Sequence, residues 1–271
     1  MNKIFKFFKS SPKYSIKWSN YFEIYENILK KFVNKKVTLV EIGIGDGGSL
    51  FMWRKFLGKK AKIIGIELNP EAKKLEKYNF KIFTGDQSDP EFWKNFYKKN
   101  GKIDILIDDG GHTNLQQITS FMESIDYIND NGVIIVEDTH TSYMNYKGFK
   151  NPSKYSFINF SLNIIENIHR RNPMLKKKMN IISEKIYSIE YYDSIVSINI
   201  NKKKQKPSKN LQNNKKLETS FVDYRFKRVE AHEQKKQNIL LKLIKSKISK
   251  KGYIQRLYEN YKIKKYLKKL K

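Results

Sequence analysis

From residue 37 to about residue 200 the chain alternates short apolar runs with segments of helical spacing, and no other feature restricts its fold as much. The strand-length runs are Val37–Gly45, Ala61–Leu68, Phe80–Thr84, Lys102–Asp108 and Gly132–Glu137. A last pair, Ile186–Tyr192 and Ile195–Ile200, flanks Asp193–Ser194. The first five are nearly unbroken in hydrophobicity, as strands are when helices cover both faces of their sheet. Helix starts are marked at Asn69-Pro70 and Asp89-Pro90, each an N-cap followed by proline at the first helical position. Thr113 with Gln116 forms a capping box. Behind it Leu115, Ile118, Phe121, Met122, Ile125 and Ile128 keep helical spacing and predict a core-facing stripe. Upstream, Lys17–Phe32 reads as an aromatic-rich helix leading into the sheet. Such alternation implies right-handed crossovers and a parallel, doubly wound α/β sheet. Its ligands bind beyond the carboxyl ends of the strands, where the strand order reverses.

Every chemically suggestive motif falls at such an end. Glu41-Ile-Gly-Ile-Gly-Asp-Gly-Gly48 follows the first strand and opens a helix, so its glycines let backbone approach a ligand beside free N–H groups. Gly43, Gly45 and Gly48 also satisfy the dinucleotide fingerprint, so the glycines alone do not separate NAD from other nucleosides. Glu41 shifts the balance, because a buried carboxylate there suits a ligand carrying positive charge, such as a sulfonium and an ammonium. Glu67 ends the second strand, where a carboxylate accepts hydrogen bonds from ribose hydroxyls. Asp86 and Gln87 end the third and are placed to read an adenine edge.

The fourth and fifth strands end in paired acids, Asp108-Asp109 and Glu137-Asp138, and His112 follows three residues after Asp109. Side by side, these ends would bring hard oxygen ligands and a titratable base to one point, which suits a divalent cation beside a proton acceptor. Neighbouring residues on a regular strand face opposite ways, so each pair can converge only if its strand has already broken into a turn.

The segments VEIGIGDGG, IGIELNP and GDQSD, in this order and spacing, resemble the class I S-adenosyl-L-methionine-dependent methyltransferases. KWSNYFEIYENI, GGSLFMWRKF, IDDGGHTNLQQITSF and VIIVEDTHTSY are similar to the branch containing macrolide-sugar O-methyltransferases and cephalosporin-hydroxylase-like proteins. The likeness runs from about Lys17 to Ile200. It implies a Rossmann-like seven-stranded sheet, five parallel strands plus a C-terminal antiparallel hairpin, followed by a basic helical extension. It also implies S-adenosyl-L-methionine held by Glu41, Gly43, Gly45, Gly47, Ser49, Glu67, Asp86 and Gln87, with Asp108 contacting the cofactor or orienting its loop. Carried over residue by residue, Mg2+ or a similar cation would be held by Asp109, Glu137 and Asp138. His112 would be the base that deprotonates a sugar hydroxyl, with Asp109 beside it in the catalytic set. His140, Thr141, Ser142 and Tyr143 follow the second acidic pair and read either as an acceptor pocket or as a polar surface loop. Trp18, Tyr21 and Tyr25 read either as a lid or as core packing.

The expected organisation is a helical N-terminal cap (residues 1–36), a methyltransferase domain (37–201) and a basic linker with amphipathic helices (202–271). The net charge is +28, and residues 201–271 hold 24 Lys/Arg against 5 Asp/Glu. This excess accompanies a general crowding of Lys, Asn, Ile, Tyr and Phe. It reads first as a solvated, compositionally biased extension, next as a helix drawn to an anionic membrane, and last as a nucleic-acid footprint. The chain has no cysteine, which excludes disulfides and thiolate metal sites. Its first residues lack the continuous apolar core of a secretory signal. No stretch reaches the roughly 18 apolar residues of a membrane span. The expected location is cytoplasmic, with peripheral contact at the inner membrane face as the tail's alternative role. The expected partner is a sugar or nucleotide-sugar acceptor, and self-association is left open. An RNA-binding protein or RNA methyltransferase, and an NAD-dependent oxidoreductase, stand as the competing readings. His169 and His232 have no constellation around them and read as surface residues.

Overall fold

The five apolar runs become strands because each alternates its side chains between two cores. In the computed structural model, β1 (Thr38–Ile42), β2 (Lys62–Glu67), β3 (Lys81–Thr84), β4 (Ile103–Asp108) and β5 (Ile128–Val136) run parallel. Two further strands, β6 (Asn145–Tyr146) and β7 (Phe149–Lys150), form a separate two-stranded ribbon. The final hairpin, β8 (Ile186–Tyr192) and β9 (Ile195–Ile200), adds to β5 antiparallel, giving the order β3-β2-β1-β4-β5-β9-β8. The structure describes residues 2–146, 149–169 and 184–205, together with 211 and 213.

Leu39, Ile63, Ile105 and Ile135 point to one face of the sheet. They pack there with the N-terminal helices α1 (Lys3–Lys9) and α2 (Tyr21–Leu29) and with α3 (Gly48–Leu57). Val40, Ile64, Leu106 and Ile134 point to the other face, against α4 (Pro90–Asn100), α5 (Asn114–Ser124) and α6 (Phe157–His169). Burial on both sides explains why the sequence shows continuous runs instead of polar alternation.

Several boundaries differ from the sequence reading. The first strand stops at Ile42, because Gly43 takes φ +77° and turns the chain out of the sheet. Residues 17–20 do not join α2, which begins at Tyr21 and continues as a 3-10 turn, Lys30–Phe32. The segment after Asn69-Pro70 is also 3-10, Pro70–Tyr78. The capping box at Thr113 and Gln116 is present as expected. The stripe behind it is narrower: Phe121 and Ile125 are buried, while Leu115 and Met122 are exposed and Ile128 already belongs to β5. Within the first 36 residues, Ile4, Phe22, Tyr25 and Leu29 lie in the same core as the sheet.

Contacts divide the chain into two units, Met1–Lys209 and Asn210–Lys271. The expected tail helices, with His232 and the membrane and nucleic-acid readings, lie outside the described residues. Among the described residues no helix is long and apolar enough to cross a membrane.

Candidate active site

Register brings the acidic strand ends together. Ile42 pairs with Asp108, and Asp108 pairs with Val136, so β1, β4 and β5 end at one level. The strand order reverses between β1 and β4, which is where such sheets bind ligands. A cavity of about 350 Å³ opens there, lined by Gly43, Gly45, Glu67, Asp86, Gln87, Asp109 and Gly111 among others. An adjoining cavity of about 480 Å³ shares Gly45 and Glu67 with it and extends toward Lys13, Lys74 and Tyr78. The acids and glycines of the chemical motifs gather around the smaller one.

The glycine-rich loop is shaped by contact. A Cβ on Gly43 would lie 2.0 Å from the Asp109 carbonyl oxygen, so only glycine lets this loop touch the β4 turn. A Cβ on Gly48 would lie 2.4 Å from the Lys13 carbonyl oxygen. An extended N-terminal strap, residues 11–18, therefore crosses directly over the start of α3, and the Gly48 N–H donates to the Tyr14 carbonyl (3.2 Å). Gly47 and Ser49, expected to hold the cofactor, do not line the cavity. Ser49 instead donates to Glu41 Oε2 at 2.6 Å.

Glu41 is fully buried, and its other oxygen has no hydrogen-bond partner. Burial pushes its carboxyl above the usual carboxylate range, and Lys17 opposes that shift. Glu67 accepts from the backbone N–H groups of Gly45 (3.0 Å), Leu68 (2.9 Å) and Asn69 (3.1 Å), which aims it along the cavity wall. Gln87 lines the cavity, and its amide is engaged within the protein. It donates to Asp108 (2.9 Å) and Ser120 (2.9 Å) and accepts from the Gly111 N–H (2.8 Å). Asp108 is likewise buried beneath the loop and not on the cavity wall. It also accepts from the Gly110 N–H in that loop.

The members of each acid pair separate at the strand ends: Asp109 and Asp138 join one cluster, while Asp108, the last residue of β4, and Glu137 are buried. β4 stops at Asp108 and β5 at Val136, and Asp138 adopts φ +52°. Asp109, His112 and Asp138 then lie close enough for one ligand atom from each to fall within 4.8 Å of the others. His112 Nε2 is 3.3 Å from Asp138 Oδ2 and 3.9 Å from Asp109 Oδ1, and its Nδ1 is buried without a partner. His112 itself has φ +56°, and its carbonyl accepts from Thr141 Oγ1 (2.9 Å) and Asn151 Nδ2 (3.2 Å). Asp138 accepts from Trp18 Nε1 (3.1 Å) and the Tyr21 hydroxyl (2.5 Å). Burial and Asp138 together raise the Tyr21 phenol well above its ordinary value, so it stays a donor.

Glu137, expected beside Asp109 and Asp138 on the metal, is outside this trio. It is buried, and both of its oxygens accept from Lys17 Nζ, at 3.0 and 2.9 Å. The same ammonium donates to Asp109 Oδ2 (2.6 Å), lies 3.6 Å from Glu41 Oε1 and rests near the face of Tyr25 (5.8 Å). Burial works against its charge, but Asp109, Glu137 and Glu41 hold Lys17 well above the usual lysine value. Sequence reasoning missed Lys17. The available signal was the strap's alternation, with Lys13, Ser15 and Lys17 turned inward while Tyr14, Ile16 and Trp18 are exposed.

The acceptor-side residues separate. Thr141 and Ser142 are buried, and the Thr141 hydroxyl donates to backbone. Tyr143 is exposed, and His140 packs edge-on to Trp18 at 6.0 Å. Tyr21 and Tyr25 are core residues, with Tyr21 extending its hydroxyl into the site, whereas Trp18 is exposed. His169 is a surface residue as expected.

No protein-family model matches the chain. It is 30% identical over 165 residues to the 8-demethyl-8-alpha-L-rhamnosyl tetracenomycin-C 2'-O-methyltransferase of Streptomyces olivaceus, covering 57% of this chain and 43% of that protein. It is 31% identical over 126 residues to the mycinamicin VI 2''-O-methyltransferase of Micromonospora griseorubida, covering 44% of this chain and 31% of that one. The chain thus spans less than half the length of these relatives. Among solved structures it is similar to the MycE methyltransferase from the mycinamycin biosynthetic pathway, in complex with Mg, SAH and mycinamycin VI. The TM-score is 0.66 at 20% identity, over 79% of this chain and 56% of that one. These likenesses bear out the resemblance read from the sequence and the Rossmann-like methyltransferase fold.

Proposed function

We propose that this chain transfers a methyl group from S-adenosyl-L-methionine to a hydroxyl of a sugar-containing acceptor, assisted by a divalent cation such as Mg2+. One observation carries the reading: the glycine-lined cavity bordered by Glu67 and the Asp109–His112–Asp138 cluster share a single sheet edge, and Asp109 belongs to both. The relatives that are named sugar O-methyltransferases support the acceptor class.

The residues fit both groups. Gly43 and Gly45 bring backbone to the cavity wall, while Glu41 lies behind it, its oxygen without a hydrogen-bond partner facing the Lys17 ammonium at 3.6 Å. Glu67 faces the position of a ribose, where its oxygens can accept from both hydroxyls. Asp109 and Asp138 offer the oxygen donors that Mg2+ prefers, with His112 beside them. When bound, the cation would orient the acceptor and make its hydroxyl more acidic, while the sulfonium supplies the methyl group.

His112 then takes the hydroxyl proton at Nε2, the nitrogen facing Asp138 and Asp109, and those carboxylates stabilise the imidazolium that results. Thr141 and Asn151 fix the His112 backbone, so the ring needs no reorganisation as the proton moves. Tyr21 holds Asp138 in place. The remaining contribution is alignment of oxygen, methyl carbon and sulfur.

We place the acceptor among nucleotide sugars or surface-glycan units, as part of polysaccharide assembly in the cytoplasm. The test is methyl transfer to a panel of such sugars, followed by mass spectrometry in EDTA and after adding Mg2+. Product is expected only with the metal restored. Full activity in chelator would remove the cation, and failure with every sugar would overturn the acceptor class.

A further inference from the structure

Four carboxylates, those of Glu41, Asp109, Glu137 and Asp138, crowd one sheet edge, and the strap's Lys17 reaches three of them. The exposure of these groups is uneven. The Lys17 and Glu137 side chains are 2% and 1% exposed, whereas Asp109, Asp138 and His112 are 20%, 19% and 19% exposed. Lys17 therefore forms the floor of the site, and the groups that can receive an ion from solvent form its rim. Asp109 joins the layers, with Oδ2 on the ammonium and Oδ1 turned toward His112.

Buried carboxylates at this density repel one another and lose hydration, so they stay ionised together only beside positive charge. We propose that Lys17 is a resident counter-cation of the metal site. It keeps the carboxylates assembled when no divalent ion is bound, and it competes for Asp109 when one arrives, which sets the ion's affinity. This role rests on the metal-assisted reading above. Because Lys17 belongs to the strap that crosses Gly48, the same contact fastens the strap over the cofactor loop.

The test measures ion binding, independently of catalysis. Wild type, Lys17→Met and Lys17→Arg are titrated with Mn2+ and read by electron paramagnetic resonance. Lys17→Met is expected to bind Mn2+ about tenfold more tightly than wild type, since the net negative charge around the ligands rises by one. Lys17→Arg, which keeps the charge, should remain within about threefold of wild type. Wild type that binds no Mn2+ would overturn the metal reading and this role with it. Wild type that binds, beside Lys17→Met that binds no more tightly, would overturn only the role of Lys17. Should Lys17→Met be unfolded in chelator, refolding on Mn2+ addition supports the exchange of one cation for another. A variant that stays unfolded with Mn2+ overturns it.

Discussion

His112 holds a left-handed backbone conformation that costs a side-chain-bearing residue about 1 kcal/mol. Thr141 and Asn151 sustain it by donating to its carbonyl. His112→Ala is expected to keep cofactor affinity in calorimetry while turnover falls by about 10² to 10⁴. His112→Gly, equally inactive, should be more stable than His112→Ala by about 1 kcal/mol in denaturant unfolding, because glycine accepts this conformation freely. Normal turnover in either variant would end the role of His112 as base. At this scale the sequence showed which groups could do chemistry but not which were already engaged. Thr141 read as an acceptor contact and Gln87 as an adenine contact. Both are held by partners elsewhere in the fold, and no local pattern announces them. For Lys17 the strap's alternation marks an inward side chain but not its partners, which lie 92 and 120 residues away.

Elements were legible where their signals are local. The Thr113 capping box is such a case: its hydroxyl accepts from the Gln116 N–H at 3.3 Å, and the Gln116 side chain returns to the Thr113 N–H at 3.2 Å. Thr113→Ala should cost about 1 kcal/mol, read as a lower unfolding midpoint with unchanged denaturant slope. The stripe behind it was over-read because six apolar positions at helical spacing cover more than one face, and only the inner ones meet the sheet. The start of α2 was placed too early for a tertiary reason, as residues 17–20 must reach across the site before the helix can begin. Gly43 shows the reverse case, a local letter with a long-range cause. Gly43→Ala should abolish cofactor binding in calorimetry, because its methyl group would displace the Asp109 turn; retained binding would mean the loop can retreat.

Among the described residues, the sheet separates two cores that share no side chains, one anchored by Trp53 and the other by Trp93. Trp53→Ala and Trp93→Ala should each cost about 3–5 kcal/mol. Their sum should hold within about 0.5 kcal/mol in the double variant if the two faces are independent. Continuous apolar runs made the covered sheet legible, whereas strand order was not, since composition carries no record of which strands are neighbours. The strap across the site has a consequence for how the molecule comes to exist. During synthesis at roughly 5–20 residues per second, Lys17 emerges on the order of ten seconds before Glu137 is made. Through that interval its charge stays in water, and the site closes only after the fifth strand has joined the sheet. Closure of the strap thus waits on the fifth strand, and substitutions at Lys17 should speed unfolding without slowing folding.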